Sequence, residues 1–81
     1  MELQETIDLM KSSDFKDRFR AEYYQLKIRL QKLVAMLDKY KAGTLEFTPK
    51  CSIEILDKQC ELMKAYLRIL EERATIEDVE L

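Results

Sequence analysis

From Phe19 to Tyr40 the large apolar side chains recur at alternating spacings of four and three: Phe19, Tyr23, Leu26, Leu30, Leu33, Leu37 and Tyr40. No Gly or Pro interrupts this run, because the chain holds one of each, Gly43 and Pro49, and both fall after it. A stripe of that period closes on one face of an α-helix and would scatter over both faces of a strand. The expectation is one long helix from about Asp14 to Ala42, roughly 40 Å at 1.5 Å per residue, with a seam of the coiled-coil type. Ser12, Ser13 and Asp14 are N-cap candidates ahead of it, and Gly43 suits the left-handed residue that ends it.

A second seam follows: Ile53, Leu56, Cys60, Met63, Leu67, Leu70 and Ala74. It predicts a helix over about residues 53–74, capped by Ser52 or by Thr48 ahead of Pro49. Between the two lies a loop, residues 43–52, whose Leu45 and Phe47 are expected to fold back over the helix ends. At the start, Leu3, Ile7 and Met10 fall at i, i+4 and i+7, which predicts a short helix over about residues 2–11. Residues 75–81 read as an acidic tail. The fold class expected is all-α: one domain, with a short N-terminal helix followed by a long antiparallel two-helix hairpin.

The last long helix carries more apolar surface than one antiparallel neighbour covers. Beside its core seam runs a second stripe, Ile55, Leu62, Tyr66 and Ile69, reaching Ile76 if the helix continues. On the middle helix, Tyr24 and Ile28 stand opposite the leucine seam, among Arg20, Lys27 and Gln31. At about 25 cal/mol per Å² of apolar surface, leaving these wet forfeits several kcal/mol in a domain with little to spare. The economical solution is a homo-oligomer that completes the fold, with Ile28, Ile55, Leu62 and Ile69 at its interface.

Composition narrows the function by exclusion. The 81 residues include no His and no Trp. The commonest general base is therefore absent, no Ser or Cys has a neighbouring base to activate it, and a single Gly builds no phosphate loop. No catalytic residue, cofactor site or metal site is expected, and the chain reads as a non-enzyme. Carboxylate pairs such as Glu71 with Glu72 read as solvated surface rather than metal ligands. Cys51 and Cys60 fall at a helix start and on the core seam, and are not expected to bridge. No apolar run approaches a membrane span, and the acidic N-terminus lacks the plan of a signal peptide, so a cytoplasmic protein without membrane contact is expected.

The net charge of −2 conceals an uneven distribution. Residues 1–10 hold three acids and no base, residues 11–50 ten bases against five acids, and residues 51–81 four bases against eight acids. A basic middle helix between acidic flanks suits a small anion and fits duplex DNA poorly, because the acidic segments repel an extended run of phosphates. Lys16, Arg20, Tyr24, Lys27 and Gln31 share one stripe of that helix, and Arg29 lies on an adjoining polar stripe. Cationic groups around an aromatic face can hold phosphate and stack a base. The candidate ligand-binding residues are Lys16, Arg20, Tyr24, Lys27 and Arg29, with Tyr66 contributed by a neighbouring subunit. The plainer alternative is a solvated face with one half-buried tyrosine.

The stretch DFKDRFRAEYYQLKIRLQKL, with LDKQCELMKAYLRILEERATIE, resembles a widespread family of small helical proteins of tailed phages and prophages, named after a crAss-like phage member. The resemblance runs through Glu22, Leu26, Arg29 and Lys32-Leu33, and then Leu56, Gln59, Met63, Tyr66-Leu67 and Leu70-Glu71 with Arg73, over about residues 14–77. It implies a phage accessory protein acting in the host cytoplasm and brings no catalytic residues with it. The helix order is also similar in architecture to phage sponges that sequester cyclic-nucleotide immune signals. The expected function is therefore counter-defence by sequestration of a phosphate-bearing signal, a cyclic nucleotide or an ADP-ribose derivative. The alternative is a helical adaptor or inhibitor, like an anti-CRISPR, that binds a host or phage protein.

Overall fold

In the computed structural model, which describes residues 1–81, the chain is entirely helical. A 3₁₀ turn over Leu3–Thr6 leads into α1 (Ile7–Lys11), followed by α2 (Phe15–Lys41) and α3 (Ile53–Ile76). The expected first helix is thus a 3₁₀ turn joined to little more than one α-turn. Asp14 begins α2 by accepting a hydrogen bond from the Lys16 N–H at 2.9 Å, and Ser52 caps α3 by accepting from the Ile55 N–H at 3.2 Å. Both side chains satisfy donors that have no partner inside the helix.

The two long helices end by the same device. Gly43 takes φ +75° after α2, and the Thr44 N–H returns to the Lys39 carbonyl at 2.9 Å. After α3, Asp78 takes φ 57°, and the Val79 N–H returns to the Ala74 carbonyl at 2.8 Å. Each left-handed residue lets the next amide bond back across the last turn. At Asp78 the reversal directs Val79 into the core, where it is 6% exposed. Residues 75–81 are therefore not a free tail: α3 runs to Ile76, and the chain then folds back against the bundle.

The hairpin of α2 and α3 holds two core clusters along its length. One joins Phe19 and Tyr23 to Leu70, Ala74 and Val79. The other joins Leu30 and Leu37 to Cys60, with Leu33, Leu56 and Met63 packed against it. Both seams read from the sequence are the ones buried between the helices, although Tyr40, at the end of its seam, lies exposed. Leu45 is half-buried while Phe47 stays exposed, so only the first of these loop residues folds back. Cys51 is exposed, Cys60 is buried, and both are free thiols.

The N-terminal segment packs on α2 alone. It covers the face opposite the leucine seam, where Ala21, Gln25 and Ile28 follow one another at spacings of four and three. Gln25 Nε2 donates to Thr6 Oγ1 at 2.9 Å, and Thr6 Oγ1 donates to the Leu3 carbonyl at 2.6 Å. Thr6 is thereby a buried polar residue whose hydroxyl is fully used. Ile28, expected at a subunit interface, is instead 7% exposed within the single chain. Burial beneath the N-terminal segment already supplies the apolar cover that a second subunit was expected to give.

Candidate functional site

The basic stripe lies on one shoulder of the hairpin, along the line where α2 turns from the face under α1 toward α3. Arg20, Tyr24 and Lys27, with Lys16 one turn earlier, are half-buried there. Tyr24 packs edge-on against Tyr23, with ring centroids 5.1 Å apart and planes at 79°. Lys27 Nζ stands 5.8 Å from the centre of the Tyr23 ring. The Tyr23 hydroxyl donates to Glu71 Oε2 at 2.8 Å, which anchors this shoulder to α3. Burial, and then the hydrogen bond to Glu71, push the Tyr23 phenol up to about 12, so it stays protonated as a donor.

Arg20 is the most constrained of the cations. Its guanidinium pairs with Asp17 Oδ1 at 3.0 Å, and its Nε donates to the Glu80 carbonyl at 2.6 Å. Lys16 and Lys27 make no ion pair. One arginine is thus held in place by the returning C-terminal segment, while two ammonium groups remain free to meet an anion. The Arg20 contact spans 60 residues, and no local pattern in the sequence signals it.

Arg29 and Tyr66 do not join this group within one chain. The Tyr66 hydroxyl donates to Glu22 Oε2, and Glu22 and Arg29, seven residues apart, share the other shoulder of α2. Four of the six candidate ligand residues are therefore brought together on one side of the hairpin and two are placed on the opposite side. The basic shoulder forms no deep cleft. The concavity nearest along the same side, ≈ 280 Å³, lies toward the loop end between Val34, Asp38, Lys41, Asp57, Cys60 and Lys64, where Lys41 pairs with Asp57 at 3.4 Å. A groove of ≈ 360 Å³ lined by Ile55, Leu62, Met63 and Tyr66 occupies the other side of α3.

No helix is long and apolar enough to cross a membrane. A family model described as Sequestin matches residues 13–76, which takes in α2, the loop and all of α3. The match covers nearly the stretch, about residues 14–77, over which membership of a small helical family was expected. No curated protein and no solved structure matches the chain.

Proposed function

The chain belongs to the Sequestin family, and from that premise we propose a non-enzymatic protein that sequesters a phosphate-bearing nucleotide signal in the host cytoplasm, as a phage counter-defence. The family's name speaks of sequestering. The observation that carries the choice of ligand is the shoulder itself, where the unpaired ammonium groups of Lys16 and Lys27 flank Tyr24 beside a fixed Arg20. Ammonium groups without carboxylate partners are available to phosphate, and a guanidinium already oriented loses little freedom when it binds. Tyr24 offers a ring to stack on a base. The chain works as a homo-oligomer, but the shoulder that meets the ligand is built within one chain, and Arg29 and Tyr66, on the opposite side of the hairpin, take no part in it. The ligand class is a cyclic di- or trinucleotide or an ADP-ribose derivative.

Thermal denaturation of the purified protein with cyclic dinucleotides, cyclic trinucleotides and ADP-ribose tests this reading. A true ligand raises Tm in step with RT ln(1 + [L]/Kd), about 2.7 kcal/mol at a hundredfold excess over Kd. Calorimetry should then show Lys27→Ala and Arg20→Ala each weakening that ligand by about 1.5–3 kcal/mol, as loss of a charge-assisted hydrogen bond does. Tyr24→Ala should cost about 1–3 kcal/mol if the ring stacks, with Tyr24→Phe near neutral. If no nucleotide shifts Tm, the exposed apolar face of α3 favours the second reading, an adaptor for a helical segment of a host or phage protein.

A further inference from the structure

α3 carries a second apolar stripe that no other element covers. Ile55, Leu62, Ile69 and Ile76 follow one another at intervals of seven and are 61%, 65%, 55% and 78% exposed. A strict seven-residue repeat drifts slowly around a helix, so it marks a seam offered to another helix. The groove beside it is lined by Ile55, Lys58, Gln59, Leu62, Met63 and Tyr66. These six make two overlapping diamonds at i, i+3, i+4 and i+7: Ile55, Lys58, Gln59 and Leu62, then Gln59, Leu62, Met63 and Tyr66. Such a diamond is the hole into which a facing helix inserts one side chain.

We infer that this face of α3 seats α3 of a second copy of the chain, antiparallel and about a twofold axis midway between Leu62 and Ile69. The inference deepens the self-association in the reading above and rests on it only for the existence of a second copy. Surface area supports a copy as the occupant. The chain exposes 5952 Å², whereas a compact monomer of 9.7 kDa exposes about 5,100 Å². The excess, roughly 800 Å², is what one partner contributes to a standard-sized interface. The stripe is also self-complementary. The twofold that sets Leu62 against Ile69 sets Ile55 against Ile76, and it brings Lys58 of one copy beside Glu72 of the other. Tyr66 falls within this interface, while the basic shoulder of α2, on the far side of the hairpin, stays outside it.

Exchange of charges across the axis tests both the interface and its direction. Light scattering should give the wild type twice the 9.7 kDa chain mass at micromolar concentration. Leu62→Glu and Ile69→Lys should each halve that mass while keeping wild-type helicity by circular dichroism, since both positions are exposed in the single chain. Mixed one to one, the two variants should regain the doubled mass, because Glu at 62 of one chain then meets Lys at 69 of the other, and Ile69 meets Leu62. A wild type that is monomeric throughout, or variants that keep the doubled mass, overturn the interface. Variants that separate but fail to recombine overturn the antiparallel register. The readout needs no nucleotide, so its failure leaves the ligand reading standing, and failure to bind nucleotide leaves this inference standing.

Discussion

Tyr23 shows how one side chain can serve both the core and the site. The residue is 5% exposed among Phe19, Leu70, Ala74 and Val79, yet its hydroxyl reaches Glu71 and its ring meets Tyr24 and Lys27. Burial and the carboxylate partner both favour the neutral phenol, which raises it from 10.0 to about 12. The folded state therefore keeps a proton that the unfolded chain releases in that interval, so stability from this group is complete below about pH 10 and falls as pH rises toward about 12. Tyr23→Phe removes this dependence. Chemical denaturation of the two proteins from pH 9 to 12 should show the wild type losing its advantage over the variant as pH rises; parallel curves would show that the phenol is not shielded.

Among the elements, the N-terminal segment is the smallest and the most consequential for the surface of α2. Its helical part, five residues in α1, is too short to persist by itself in water, so it is held by packing on Ala21, Gln25 and Ile28. Ile28 is accordingly a core residue of this local contact. Ile28→Ala should lower stability by about 2–4 kcal/mol, read by urea denaturation, while leaving the mass of the assembly unchanged. A change in mass with little loss of stability would return Ile28 to a subunit interface. α3 is expected to behave in the opposite way: its Ile69 is 55% exposed, so a charge there should leave the fold of one chain intact.

As a whole, the molecule is long and thin, 43 × 24 × 17 Å with a radius of gyration of 15.0 Å, against about 12 Å for a compact chain of this length. Only 11 of the 81 residues are buried, so the hairpin has a core one side chain deep. The association through α3 proposed above would give such a molecule a second layer. Stability coupled to association depends on concentration, so Tm should rise by several degrees between about 1 and 100 µM protein and should be flat for Leu62→Glu. A wild-type Tm independent of concentration would mean that the single hairpin holds itself.

Local periodicity was enough to establish the two long helices, their facing seams and their caps, because spacings of four and three, Asp14, Ser52 and Gly43 act within a turn or two of themselves. The same periodicity exposed the stripe from Ile55 to Ile76 and the basic row from Lys16 to Lys27. It could not say what lies over a face. Tyr24 and Ile28 look alike in the sequence, as apolar positions on a polar back. Tertiary packing separates them, placing Ile28 beneath the N-terminal segment and leaving Tyr24 half-exposed against Tyr23. It also joins Arg20 to Glu80 and Tyr66 to Glu22 across 60 and 44 residues, which puts Tyr66 on the shoulder opposite Arg20. A helical repeat fixes the angle of a residue about its own axis. Which neighbour occupies that angle depends on how separate elements share a small core, and only the folded chain decides it.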